Sequence, residues 1–314
     1  MPGSAPRRIP VTFLAATTGE VGFVRGRGLV LLSGVFMSIG GPLIRLLDSA
    51  SEWQFLTYRA AAVVAVLSVV LAVRYPNRLS ATLRAAGWTG VLAGFFLAGA
   101  FVGFVFSITH TTVANTLFLL SAAPFAAALL GWLVLGEVVG RATWLAMLGA
   151  FAGVAVMIGE GLSEGDLFGD LAALGAALGF AGFAVALRRG RAVDMVPAVL
   201  FAGIISAITS ALMAYLMGAG LVIPLRDVGL SFAYGGVGIA GGLLLFTLGS
   251  RYVPAAELTL LSLTEVILGP IWVWLAFAEQ PSRLTLLGGA ILLASITAQT
   301  IHGARRSKPL PLVT

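Results

Sequence analysis

The 314-residue sequence has no cysteine, only two histidines and little charge. Without cysteine, disulfide frameworks, thiolate nucleophiles, cysteine-ligated zinc sites and iron–sulfur clusters are excluded. His110 and His302 leave little for metal binding or general-base catalysis. The sequence contains no P-loop and no dinucleotide-binding turn, and no basic surface with interleaved aromatic residues indicates nucleic-acid binding. We therefore expect no metal, no cofactor, no nucleic-acid partner and no enzymatic activity.

The scarcity of charge excludes a water-soluble domain of this size. Charged residues make up 10% of the chain and hydrophobic residues 59%, with a mean hydropathy of +1.02. Soluble domains have about 25% charged residues, which their water-facing surface requires. Since one helical span takes about 20 apolar residues, the chain has room for about ten spans joined by short loops. The composition predicts an all-α polytopic membrane protein.

Ten hydrophobic segments are bounded by charged or turn-forming residues. Each is apolar around its whole helical circumference, which is typical of a membrane span rather than of a surface helix. The predicted transmembrane helices cover about residues 28–47, 54–73, 86–106, 111–135, 141–159, 169–188, 196–217, 229–249, 254–278 and 283–301. Because their number is even, both termini are expected on the same side of the membrane.

Lys and Arg residues near the helix ends predict the orientation, because positively charged loops stay in the cytoplasm. With the N-terminus in the cytoplasm, all but four of the 19 Lys and Arg residues fall on the cytoplasmic side. The exceptions are Arg45, Arg226 and Arg283 outside and Arg59 within a span. The acidic segment 160–170 then lies outside. This distribution predicts a multi-pass protein of the bacterial inner membrane with both termini cytoplasmic.

The second half of the chain overlies the first at a constant offset of 142 residues. Gly136–Arg141 then meets Ala278–Arg283, and Trp132 meets Trp274. Each unit holds five helices, an odd number, so the second unit enters the membrane from the opposite side. Two inverted five-helix repeats are frequent in transporters, with the substrate site near the midplane between them. The predicted division is a cytoplasmic tail at 1–27, repeats at 28–159 and 169–301, an extracytoplasmic linker at 160–168 and a cytoplasmic tail at 302–314.

Several short runs carry a resemblance to a known family. They are Phe55–Ala60, Thr111–Asn115, Val253–Glu257, Leu263–Val266 and the pair Ala278–Glu279. Together with the five-plus-five helices, they resemble the EamA-like branch of the drug/metabolite transporter superfamily over about residues 28–301. The resemblance implies a ten-helix exporter or exchanger of small metabolites, with a central cavity lined by both halves. Many relatives have proline where this chain has Val266, so Pro270 is expected to displace the helix kink.

Glu265 is the deepest charged residue of the predicted spans. In a helix over 254–276 it lies about 16 Å from either end at 1.5 Å per residue. A charge at this depth costs roughly 2.5–3.5 kcal/mol, which favours a functional role. We predict a substrate ligand that binds an amine or a proton and couples transport to protons; the alternative is a permanently protonated acid in an interhelical hydrogen bond. Thr264 and Trp272 share its helix face and are predicted to line the same cavity.

Three further polar residues are candidate substrate ligands. Arg59 lies about 7 Å below the outer surface, where it either binds a substrate carboxylate or extends to the membrane interface. Glu257 and Asn115 are related by the 142-residue offset and lie near opposite membrane surfaces. They are predicted either to form matched gates beside the substrate or to cap helix ends.

The sequence therefore predicts a secondary transporter, driven by a gradient or by exchange, that exports small organic metabolites by alternating access. Amino acids or related compounds are the first expectation for the substrate, and membrane lipid is the expected surrounding. An intramembrane enzyme, a lipid scramblase or a passive channel with the same central cavity is the alternative. An enzyme is expected to cluster polar residues at one depth, whereas the charged residues here lie at several depths.

Overall fold

A computed structural model describes residues 11–111, 113–158, 166–278 and 282–306. Within these ranges, ten helices are long and apolar enough to cross a membrane, which confirms the predicted all-α polytopic fold. We number these spans 1 to 10 in chain order. They cover Gly22–Arg45, Glu52–Arg74, Leu79–His110, Asn115–Leu135, Arg141–Ile158, Leu167–Arg189, Val196–Leu216, Leu225–Gly249, Ala255–Phe277 and Arg283–Ile301.

Spans 2, 3, 5, 6, 7 and 10 each belong to one helix. These helices are Glu52–Arg74, Leu79–His110, Arg141–Ile158, Leu167–Arg189, Val196–Leu216 and Arg283–Arg306. The other four spans are interrupted. Span 1 is formed by the helices Val11–Ser38 and Gly40–Arg45, and span 4 by Val113–Leu120 and Ala123–Leu135. Span 8 consists of Leu225–Ala233, the π-helical segment Tyr234–Gly241 and Gly242–Gly249. Span 9 consists of Ala255–Ser262 and Thr264–Phe277.

Each predicted segment overlaps one of these spans, and the differences lie at the ends. The helix of span 3 begins at Leu79 rather than near residue 86, and Gly87 (φ 54°, ψ −155°) separates its first turns from the membrane-crossing part. Only glycine adopts such a backbone conformation readily. The helix of span 1 begins at Val11, inside the segment predicted as a tail. Most of the acidic segment 160–170 and Glu279 of the family-like runs lie outside the described residues.

The 142-residue offset also relates the interruptions of spans 4 and 9. Their first helices end at Leu120 and Ser262, and their second helices end at Leu135 and Phe277. The next residue in each case is left-handed, with φ 66° at the glycine after Leu135 and φ 57° at the alanine after Phe277. The two spans therefore share one backbone plan at the offset read from the sequence. The opposite orientation of the two halves stays a prediction.

The packing of the spans is symmetric under exchange of the two five-span units. Span 3 packs along span 6, and span 8 packs along span 1. Span 3 also packs along span 7, and span 8 along span 2, while spans 2 and 7, 4 and 9, and 5 and 10 pack along each other. A shift of five spans maps each of these pairs onto another of them or onto itself. Span 8 thus lies against spans 1 and 2, and span 9 also packs along span 1.

Glycine allows the closest of these approaches. A Cβ atom placed on Gly153 of span 5 would lie 2.8 Å from the carbonyl oxygen of Gly288 in span 10. A Cβ atom on Gly179 of span 6 would lie 2.7 Å from the carbonyl oxygen of Phe96 in span 3. Helices in lipid associate through close packing of this kind, because lipid tails provide no hydrophobic force between them.

We expect Gly288→Ala to lower the melting temperature in detergent by several degrees. The new Cβ atom would lie 2.5 Å from the backbone nitrogen of Met157, and overpacking of this kind costs about 1–3 kcal/mol. Gly289→Ala is the matched control, because no atom lies within 4 Å of its Cβ position. Equal melting temperatures for the two variants would contradict this view of the contact between spans 5 and 10.

Candidate functional site

The helix interruptions of spans 8 and 9 are both connected to the interruption of span 1. The Tyr234 hydroxyl, at the start of the π-helical segment, donates a hydrogen bond to the Met37 carbonyl oxygen at 3.1 Å. The Trp272 indole nitrogen of span 9 donates to Ser38 Oγ at 2.8 Å. Both acceptors lie at the end of the first helix of span 1. The interruptions of spans 1, 8 and 9 therefore form one connected region.

Glu265 lies in this region, in the first turn of the second helix of span 9. A continuous helix was expected here, but the helix is interrupted at Leu263, and Pro270 lies within the second helix. At 1.5 Å per residue, Glu265 is about 15 Å from the start of the span. A Cβ atom on Gly34 of span 1 would lie 3.2 Å from Thr264 Cβ and 3.4 Å from the Glu265 nitrogen. Span 1 thus packs directly against the break.

The Glu265 carboxylate has no side-chain partner among the described residues. Within the described parts of the chain, no hydrogen bond or ion pair reaches its oxygen atoms. Thr264 Oγ1 bonds to the Leu261 carbonyl oxygen at 2.7 Å and so is engaged with its own helix. The carboxylate is therefore available to a ligand or to a proton.

Arg59 is the second charge at membrane depth and is only 6% exposed. Its guanidinium carbon lies 4.6 Å from the ring centre of Phe101, 5.8 Å from that of Tyr234 and 6.0 Å from that of Phe55. In the part of the chain that the structure describes, the buried Nη2 atom has no hydrogen-bond partner. Arg59 lies about 10 Å from the start of span 2 at 1.5 Å per residue, and its burial excludes the extended, interface-seeking conformation.

Tyr234 connects these two charges. The centre of its buried ring lies 5.8 Å from the Arg59 guanidinium carbon, and its hydroxyl bonds to the end of the first helix of span 1, which also binds Trp272 from the helix of Glu265. The site thus comprises Arg59, Tyr234 and Glu265, with spans 1, 2 and 3 from the first half and spans 8 and 9 from the second. Tyr234 was not among the site residues predicted from the sequence. The one signal for it is the glycine-rich run that follows it in span 8, from Gly235 to Gly242.

Glu257 lies apart from this site and belongs to an ion pair. Its Oε2 atom is 2.5 Å from Arg27 Nη2 and accepts a second hydrogen bond from Arg27 Nε at 3.2 Å. Arg27 Nη1 donates to the Thr300 carbonyl oxygen at 2.7 Å. The break at Leu263 places Glu257 on a different helix from Thr264, Glu265 and Trp272. Glu257 therefore holds spans 1, 9 and 10 together at the predicted cytoplasmic end.

Asn115 is buried near the start of span 4, at the predicted outer end. Its Nδ2 atom donates to Oγ1 of Thr111, the residue after the helix of span 3, at 3.2 Å. This bond ties the end of span 3 to the start of span 4. At the 142-residue offset, Glu257 is paired with the Arg27 guanidinium.

A second ion pair closes the predicted cytoplasmic end beside Glu257. Arg188 Nε lies 2.7 Å from Glu137 Oε1, and the other Glu137 oxygen accepts from the Ala255 backbone nitrogen at 3.1 Å. Arg188 Nη1 also donates to the Arg251 carbonyl oxygen at 2.7 Å. Glu137 and Glu257 line a small cavity of about 50 Å³. These contacts join the loop after span 4 to spans 6 and 9.

A third cluster at the same end surrounds Asp194, in the loop between spans 6 and 7. Its carboxylate lies 3.5 Å from Arg74 and 3.8 Å from Arg251. The Tyr75 hydroxyl donates to Asp194 Oδ2 at 2.6 Å, and this hydrogen bond raises the pKa of Tyr75 above its usual range. The phenol therefore stays protonated and keeps donating at neutral pH.

The predicted outer end is held by a carboxylate that binds backbone. Asp227, fully buried at the start of span 8, accepts from the backbone nitrogens of Asp48 (2.8 Å), Ser49 (3.0 Å) and Ala50 (2.9 Å). Gln54 Nε2 donates to the Ala219 carbonyl oxygen at 3.0 Å. The loops before spans 2 and 8 are thereby tied together. Both ends of the bundle carry polar contacts between the two halves.

The sequence profile of the EamA-like transporter family matches residues 24–159 and again residues 167–299. The chain belongs to the EamA-like transporter family. Each matched segment contains five of the ten spans. Membership makes this protein a multi-pass membrane transporter with a small-molecule substrate.

Two relatives of this EamA-like transporter are also transporters by name. It is 26% identical to the pseudopaline exporter CntI of Pseudomonas aeruginosa over 215 residues, which cover 67% of this chain and 72% of the exporter. It is 26% identical to the uncharacterized transporter YwfM of Bacillus subtilis over 278 residues, which cover 85% of this chain and 90% of YwfM. A solved crystal structure with 19% identity has a TM-score of 0.74 and covers 90% of this chain and 98% of its own. That likeness shows the fold.

For this EamA-like transporter we expect strong thermodynamic coupling between Arg27 and Glu257. Their side chains are 3% and 12% exposed, so removing either partner leaves a buried charge uncompensated. In thermal unfolding, Arg27→Gln and Glu257→Gln should each destabilise the protein. The double variant should lose less stability than the sum of the two single losses, with a coupling energy of about 0.5–3 kcal/mol.

The exposed pair Arg226 and Asp48 provides the control for this cycle, since its side chains are 56% and 47% exposed. Exposed pairs contribute little, so the cycle of Arg226→Gln with Asp48→Asn should be nearly additive. Additive effects at Arg27 and Glu257 would show that their contact does not hold spans 1, 9 and 10 together.

Proposed function

We propose that this transporter is a secondary carrier that exports small organic metabolites, with amino acids as the first substrate class, by alternating access. The observation that carries the proposal is the pair of opposite charges at Arg59 and Glu265. Each lacks a side-chain counter-ion among the described residues, and Arg59 lies beside the buried ring of Tyr234. The proposed location is the plasma membrane of a bacterial cell, with both termini in the cytoplasm.

Charge at membrane depth is costly unless a partner compensates it. A ligand that carries one carboxylate and one ammonium group would compensate both Arg59 and Glu265 at once. Amino acids have these two groups on one carbon atom. Phe55, Phe101 and Trp272 provide apolar surface near the charges, which suits an amphipathic metabolite.

The position of the site also supports alternating access. Its residues come from both five-span halves, and carriers built from two repeats bind substrate between them near the midplane. Ion pairs close the predicted cytoplasmic end, and Asp227 and Gln54 hold the predicted outer end. If the contacts at one end break while those at the other end stay intact, the site is exposed to one side of the membrane at a time. The name of the relative CntI supports export as the direction.

Proteoliposome flux tests the proposed function. Vesicles with the purified transporter would be loaded with a radiolabelled mixture of the twenty protein amino acids, and efflux would be measured. We expect efflux that saturates with internal concentration and accelerates at least twofold when unlabelled amino acids are added outside. Such acceleration requires a carrier that binds an external amino acid before it returns to the inward-facing state.

Two control measurements separate the alternative functions. Efflux that is linear in concentration and insensitive to external amino acids would identify a passive channel instead. Translocation of a fluorescent lipid without amino-acid flux would identify a scramblase. Empty liposomes and the double variant Arg59→Gln, Glu265→Gln, reconstituted at equal density, set the background.

We further propose that Glu265 couples transport to protons. A proton and a substrate ammonium group compete for the same carboxylate, so a proton gradient directed inward should accelerate export. In Glu265→Gln the side chain no longer exchanges a proton, and export should not respond to the gradient. Glu52→Gln is the matched control, because Glu52 is an exposed acid at the start of span 2 and should leave the response intact. A full response in Glu265→Gln would assign proton coupling elsewhere.

A further inference from the structure

We propose that Tyr234 is a positioning residue of the substrate site. Its ring holds the Arg59 guanidinium so that Nη2 faces a substrate carboxylate, and its hydroxyl fixes the ring to span 1. The carboxylate as ligand rests on the proposed function above. The placement of Arg59 by Tyr234 rests on geometry alone.

The Tyr234 ring is part of an aromatic enclosure around Arg59. It is stacked on the ring of Phe55, with centroids 6.0 Å apart and an angle of 10° between the planes. Phe101 of span 3 approaches the guanidinium most closely, at 4.6 Å. Three rings from spans 2, 3 and 8 thus surround a flat cation, which prefers the faces of aromatic rings. This enclosure restricts the orientation of the guanidinium and offers no carboxylate to it.

Glycines make the space that the Tyr234 ring occupies. A Cβ atom on Gly238 would lie 2.5 Å from Tyr234 Cδ2, and a Cβ atom on Gly40 of span 1 would overlap the end of the ring. A Cβ atom on Gly235 would overlap the carbonyl oxygen of Arg59 itself. The backbone of span 8 therefore lies directly against the turn of span 2 that carries Arg59. These close approaches hold the ring and the cation in one rigid unit.

The hydroxyl group of Tyr234 ties this unit to the interruption in span 1. It donates to Met37 at 3.1 Å, and the next residue, Ser38, receives the indole hydrogen bond of Trp272. The end of the first helix of span 1 is thus held by span 8 through Tyr234 and by span 9 through Trp272. Since Glu265 also belongs to span 9, this path connects the two charged ligands of the site. Tyr234 acts on substrate through Arg59, so it is a positioning residue rather than a ligand.

A double-mutant cycle tests the placement of Arg59 without any substrate. Tyr234→Leu and Arg59→Met would be made singly and together, and their melting temperatures compared. If the ring holds the guanidinium, the two effects will be clearly non-additive. Tyr58 is the matched control, since its hydroxyl also donates to a backbone carbonyl, that of Leu221 at 2.6 Å, but it is not among the rings around Arg59. The cycle of Tyr58→Leu with Arg59→Met should be additive.

Transport kinetics test the consequence for substrate. The probe is the amino acid of the mixture that shows the fastest counterflow, together with its amide, which lacks the carboxylate. Tyr234→Leu should raise the KM for the amino acid at least tenfold, with Vmax per folded transporter within twofold. The wild-type preference for the amino acid over its amide should fall to near unity. Tyr234→Phe keeps the ring and should retain most of this preference, and Tyr58→Phe should retain all of it.

The outcomes separate this inference from the proposed function. Absence of amino-acid flux in the wild type would refute the proposed substrate class, and the melting cycle would still decide whether Tyr234 places Arg59. Additivity in that cycle would overturn the inference. So would a Tyr234→Leu variant that loses only Vmax while its KM and its preference over the amide stay unchanged, because that pattern describes a purely structural role.

Discussion

The cost of placing charge in lipid is the constraint on which the rest of this structure depends. Several charged side chains at the ends of the spans are compensated by pairing, such as Arg27 with Glu257 and Arg188 with Glu137. Arg59 and Glu265 lie deeper and have no such partner among the described residues. Arg59 is instead surrounded by aromatic rings, and Glu265 lies beside the interruption of span 9. The architecture of spans 1, 2, 8 and 9 follows from keeping these two charges inside the membrane and available.

Interrupted helices create a second requirement of the same kind. A break frees backbone polar groups, and in a membrane these groups are tolerated only where protein or a cavity surrounds them. By packing the break of span 9 and the π-helical segment of span 8 against span 1, the protein lets Tyr234 and Trp272 provide hydrogen bonds at one place. Gly34 and Gly238 permit the close approach that this packing requires. The polar site and the interrupted helices are therefore located together.

The sequence predicted the number and position of the spans well, because hydrophobic runs report burial in lipid directly. Charge inside a run pointed to Arg59 and Glu265 for the same reason. Tyr234 gave no comparable signal, since a tyrosine within an apolar segment is common and its role arises from contacts with residues almost 200 positions away. The break at Leu263 was also missed. Proline is the visible cause of kinks in a sequence, and Pro270 drew the expectation away from a break that contains no proline.

Glu257 and Glu265 show how a single break changes the meaning of two similar residues. On a continuous helix they share a face, and both qualify as substrate ligands. The break at Leu263 assigns Glu257 to the helix that is paired with Arg27 and Glu265 to the helix that carries the unpaired charge. A transport cycle that opens the predicted cytoplasmic end has to separate Arg27 from Glu257, at a cost typical of a buried ion pair. Because the two glutamates lie on different helices, the ion pair of Glu257 and the proposed substrate ligand Glu265 belong to separate segments of span 9.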